Sequence, residues 1–178
     1  MIDLSGHVGT RQKVRIERNR PPQRLLNGYV LAVWNGLVLM HQFHDFEPDG
    51  YTLIREQDVV GVRSNEYERL WDRMLAGEGR LEGLDADLAI DLSNMQTAIR
   101  SAAAQFRFLI IQCEDQHEDI QDFYLGELLE VEGDVVRLRS LNALARWDEQ
   151  VAEIPVAEIT NVQFDTPYIR HFTKYIGA

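Results

Sequence analysis

The chain has a single cysteine, Cys113, in 178 residues. That excludes an internal disulfide and makes a reducing, cytoplasmic setting the expectation. No apolar run reaches the length of a membrane span, and Met1 to Thr10 lacks the basic and apolar regions of a signal peptide, so no membrane association is expected. Glycines are not grouped into a phosphate-cradling loop, no G-x-S-x-G element is present and there is no cysteine cluster. These absences argue against an enzyme and against a bound cofactor. Apolar residues make up 45% of the chain and charged residues 26%, an ordinary balance for a folded protein.

Positive charge is also scarce, and it is unevenly placed. The net charge is -11. Residues 1–27 nevertheless carry Arg11, Lys13, Arg15, Arg18, Arg20 and Arg24 against only Asp3 and Glu17, a local balance of +4 that leaves -15 for the remainder. An acidic surface repels nucleic-acid phosphates, so RNA binding would have to rest on this one basic arm.

What the sequence does have is an internal repeat. Residues 27–41, NGYVLAVWNGLVLMH, align with residues 125–139, LGELLEVEGDVVRLR, placing Gly28 on Gly126 and Val33 on Val131. Further on, Ile54 to Val62 falls on Ile154 to Val162, apolar on apolar. Each copy closes with a helical apolar pattern: Tyr67, Leu70, Trp71, Met74 and Leu75 in the first, Tyr168, His171, Phe172, Tyr175 and Ile176 in the second. A chain of this length with such a repeat implies two small units that pack together.

The local patterns predict mostly β structure. Alternation over Lys13 to Arg18 predicts a first strand, and Pro21-Pro22 marks the loop after it. Leu25 to Trp34 and Leu37 to Phe43 form a hairpin around Asn35-Gly36. After a polar turn at His44 to Gly50, two short strands follow, Tyr51 to Arg55 and Val59 to Arg63. Asn65 with Glu68 forms a capping box for the helix after them. The boundaries expected are 1–76 for the first unit, 77–92 for a linker and 93–178 for the second. In the second unit Ser93 with Gln96 caps a helix over Asn94 to Gln105, and strands are expected at Phe106 to Cys113, Phe123 to Val131, Val135 to Ser140, Val151 to Pro155 and Ile159 to Phe164. Thr166-Pro167 starts the last helix.

A helix followed by five short strands, with a glycine early in the second and an Ile-x-x-x-acid-apolar turn between the last two, resembles the Sm-like small barrels and, more broadly, the SH3-like barrels. The tandem arrangement also resembles bacterial proteins without an assigned function. The resemblance implies two five-stranded barrels with accessory helices. It implies no binding residues: where RNA-binding Sm proteins carry Asp, Asn and Arg-Gly, this chain has Trp34, Val38 and Ile54-Arg55-Glu56, and then Glu132, Val136 and Ile154-Pro155-Val156.

Candidate chemistry is thin. His41, His44, Asp45, Glu47 and Asp49 have metal-ligand residue types, but on a strand His41 and His44 point to opposite faces. His117 lies in an acidic loop, Glu114 to Asp122, and Cys113 has no motif around it. That acidic loop occupies the repeat position of the basic loop Arg18 to Arg24, so complementary charge is expected to pair unit one with unit two, within one chain or between copies. The function read from the sequence is a non-catalytic module that binds a protein partner or itself. Arg18, Arg20, Arg24, Trp34 and Trp147 are its candidate contacts, tryptophan being a frequent binding anchor, and Trp71 is assigned to the core. The alternative is single-stranded RNA held by Arg11, Lys13 and Arg15, with Tyr29 stacking on a base.

Overall fold

A computed structural model of the chain describes residues 2–20, 25–82, 84, 88–114 and 121–177. The first half contains β1 (Val14–Arg18), β2 (Leu25–Trp34), β3 (Leu37–His44), β4 (Glu47–Arg55), β5 (Val59–Arg63) and helix α1 (Glu66–Gly77). The second contains α2 (Met95–Gln105), β6 (Leu109–Glu114), β7 (Gln121–Glu132), β8 (Val135–Leu141), β9 (Ala152–Pro155), β10 (Asn161–Phe164) and α3 (Pro167–Phe172). Two details depart from the sequence reading. The expected turn at His44 to Gly50 is only Asp45-Phe46, with β4 already begun at Glu47. The cap of α2 is Asn94 with Thr97, because that pair makes both reciprocal bonds to the backbone, one position after the predicted pair.

The ten strands form one antiparallel sheet in the order β5-β1-β2-β3-β4-β10-β6-β7-β8-β9. This corrects the expectation of two closed barrels: the sheet is open. The reason is the seam, where the outer edge of β4 is spent on β10, with Tyr51 opposite Phe164 and Ile54 opposite Asn161. One strand edge cannot also close its own half. Each half is rolled all the same. Strands β4 and β5 lie four strand spacings apart in the order, roughly 19 Å if flat, yet only Glu56–Asp58 joins them, a connection that reaches about 14 Å at most. In the second half the connection from β9 to β10 is two residues longer, Val156–Glu158 plus Ile159 and Thr160, and Ile154 of β9 shares one buried cluster with Ile111 of β6 and Val162 of β10.

The repeat is visible in local geometry. A Cβ at Gly28 would strike the His41 carbonyl oxygen, and one at Gly126 the Arg139 carbonyl oxygen, so in both halves the second strand bends tightly over the third. Both hairpins carry a bulge at matching places, between Val30 and Ala32 and between Leu128 and Glu130. Their turns are two residues long; Asn35 and Gly36 both adopt positive φ, 49° and 77°, which is the twist-matched form.

The interior is divided unequally. One cluster belongs to the first half and is plugged by Leu4 of the N-terminal segment over Val14, Ile16, Leu26, Val38 and Met40. A larger cluster joins Met95, Ala98, Ile99 and Ala102 of α2 and the strands of the second half to Leu37, Leu39, Tyr51 and Leu53 of β3 and β4. The α1 face departs from expectation: Leu75 is buried against Tyr29 and Phe43, whereas Tyr67, Leu70 and Met74 are exposed.

Candidate interaction site

Trp34 is the most exposed of the three tryptophans at 67%. It ends β2 beside the tight Asn35-Gly36 turn, and the Asn35 side-chain amide donates to the Ser93 carbonyl at 2.5 Å. The hairpin tip is therefore held in place against the start of α2 and presents the indole on a fixed backbone. Trp147 is different. It packs beside Phe108, with ring centroids 6.2 Å apart, under the Arg139 guanidinium at 4.2 Å, and covers its own half.

Arg18 and Arg20 turn inward, which corrects their assignment as exposed contacts. Arg18 donates to both carboxylate oxygens of Glu114 at 2.6 and 2.8 Å, and both side chains are 0% exposed. Thr160 donates its hydroxyl to Glu114 at 2.7 Å. Arg20 donates to the Glu114 carbonyl at 3.1 Å and to Asp58 at 2.8 Å. Arg18, Arg20 and Glu114 thus pair inside the chain, tying the end of β1 to the end of β6. Arg24 and His117 lie outside the described residues, as does most of the acidic loop.

The alternative set is scattered too. Tyr29 is buried and its hydroxyl donates to Asp72 at 2.7 Å; burial, then that bond, raises its pKa. Its ring is closed to a base, which corrects its role as a stacking platform. Arg11 sits at positive φ near a separate cavity at the N-terminal segment. Lys13 and Arg15 instead meet in a cavity of about 200 Å³ under α1. The Lys13 ammonium lies 3.6 Å from the centroid of the Trp71 ring, which stacks on Phe46. Trp71, assigned to the core, is half-buried and serves this cavity. Burial pushes Lys13 down to about 8, against the pull of Asp72, Glu68 and Asp45. Asp45 and Glu68 also line the cavity, and Asn27, Arg63 and Tyr67 complete it. Sequence reasoning missed these three, because only the strand register sets Arg15 beside Asn27 on one side and Arg63 on the other.

His41 is buried, while the side chain of His44 is 83% exposed, so the two do not converge. Burial pushes His41 down to about 4, and its ring stacks on Tyr51 with centroids 4.6 Å apart. No group of three His, Cys, Asp or Glu placed to hold a metal is found among the described residues. Burial pushes the Cys113 thiol up to about 12, which keeps it protonated and unreactive at neutral pH. Among the described residues no helix is long and apolar enough to cross a membrane.

Comparison with known protein families, curated proteins and solved structures finds no match to this chain.

Proposed function

We propose that the chain is a non-catalytic interaction module of the cytoplasm, built from two Sm-like units, whose partner is another protein. The observation that carries the reading is Trp34, a large apolar side chain held out from a pinned hairpin tip. Solvent-facing tryptophan on a rigid backbone costs little entropy to bury and is the residue type most enriched among binding hot spots. The tandem Sm-like assignment is supported by the common strand order of the two halves, by the matching glycines and by the matching bulges.

The experiment is a pull-down of tagged protein from its own lysate, with and without nuclease, run in parallel for Trp34→Ala. The expected result is a protein that survives nuclease and is lost by Trp34→Ala, since truncating a hot spot costs about 2 kcal/mol or more. Enrichment of RNA that survives Trp34→Ala and disappears on neutralising Arg11, Lys13 and Arg15 would replace this reading with the nucleic-acid one.

A further inference from the structure

The cavity beneath α1 collects three cations, Lys13, Arg15 and Arg63. Arg15 lies directly across from Arg63 on β5, and Asn27 lies across from it on β2. Lys13, two residues before Arg15, shares that face of β1. Like charges set opposite each other on a sheet destabilise it, and of the two arginines only Arg63 has its charge met, by Glu68 at 2.6 Å. The side chains of Arg15 and Asn27 make no hydrogen bond or ion pair among the described residues, whereas the Lys13 ammonium lies on the face of Trp71 within the field of Asp72, Glu68 and Asp45. Lys13, Arg15, Asn27 and Arg63 converge here on one recess together with the carboxylates of Asp45 and Glu68, in a protein whose overall charge is -11.

We infer that this recess is a binding site for a carboxylate carried on a flat apolar group. Arg15 offers a planar two-pronged donor that matches carboxylate geometry, while Lys13 adds a point charge and Asn27 a neutral donor. The apolar part lies against Tyr67, a lining residue that is 60% exposed. Charge selects the class. Arg63 is balanced by Glu68 and Lys13 by the charges of Asp72 and Asp45, which leaves Arg15 as the unmatched cation of the lining, so the recess takes one negative charge better than two. Size agrees: about 200 Å³ is below the roughly 300 to 1,000 Å³ of sites for larger organic ligands. The carboxylate belongs either to a free aromatic acid or to an acidic side chain of a partner protein. The inference does not depend on the role proposed for Trp34.

Indole N–H resonances of the three tryptophans, assigned by Trp→Phe variants, report the site directly. Benzoate is expected to shift the Trp71 signal saturably and to leave the Trp34 signal in place, whereas benzamide, its uncharged analogue, shifts neither. Arg15→Gln should weaken benzoate roughly tenfold or more, the worth of a charge-assisted pair, and should melt no lower than the parent, because it removes a like-charge contact. A glutamyl-phenylalanine dipeptide blocked at both ends that binds more tightly than benzoate assigns the carboxylate to a partner protein; the reverse order assigns it to a free acid. The inference is overturned if benzoate leaves Trp71 unmoved, if Arg15→Gln binds it equally well, or if phenyl phosphate binds more tightly than benzoate.

Discussion

Strands β4 and β9 hold the same place in the two halves, but β4 lies inside the seam and β9 ends the sheet. Ile54 and Ile154 are both buried, since each faces the interior of its own half. The other positions diverge according to what lies beyond the strand. Tyr51 stacks on Phe164, Thr52 donates to Asn161 at 2.5 Å, Leu53 is wholly buried, and Arg55 donates to the carbonyls of Val156 and Ile159. Their counterparts are Val151, Ala152, Glu153 and Pro155. Glu153 is exposed and paired with Arg137, and Pro155 has no N–H to offer a further strand. The difference teaches that a position keeps its residue when it serves its own half and changes it when it serves a neighbour, charge and proline being the means by which a free edge resists pairing.

The strongest way to break the seam is to remove one partner of a buried ion pair. Glu114→Ala removes the two-pronged acceptor of the buried Arg18 guanidinium and should cost about 3 to 5 kcal/mol, read as a lowered urea midpoint. The double change Arg18→Met with Glu114→Leu should recover most of that loss, because it removes the desolvated charges together; a double variant as unstable as the single would show that the contact acts by shape instead.

A smaller effect tests the seam by pH. His41 is held down at about 4 by burial, with Asp165 raising and Arg170 lowering it from across the seam. The unfolded chain takes up this proton near pH 6.5 and the folded chain does not until about 4. The stability that His41 contributes is therefore complete above 6.5 and is lost as pH falls toward 4, by up to about 1.4 kcal/mol per pH unit. Urea midpoints between pH 6.5 and 5, above the range of most carboxylates, should fall for the parent and stay flatter for His41→Phe.

The smallest effect belongs to the edge. Glu153→Leu should change stability by no more than about 0.5 kcal/mol, as surface substitutions do, while increasing self-association in sedimentation velocity, since it restores to β9 the residue type that β4 carries at the seam. Unchanged sedimentation would mean that Pro155 alone blocks this edge.

Much of the secondary structure was legible because its signals are local. The Asn35-Gly36 hairpin, the Asn65 capping box, the helix over residues 95–105 and Pro167 at the start of α3 all follow from residues within a few positions of one another. The candidate site was legible only in part. Trp34 stood out by residue type and turn chemistry, whereas the Arg15 recess was hidden, since Asn27, Arg63, Tyr67 and Trp71 meet there through strand register and the crossing of α1.

The sequence by itself determined the repeat with its paired glycines, most of the elements and the opposed charges of the two loops, because periodicity, turn chemistry and charge are properties of short stretches. Only the tertiary structure decided that the halves join through β4 and β10 into one open sheet, that Arg18 meets Glu114 in the interior, and that Tyr67 faces outward while Tyr29 does not. Those outcomes depend on which edges, faces and charges find each other across about a hundred residues, as from Arg18 to Glu114, and no local pattern encodes that choice.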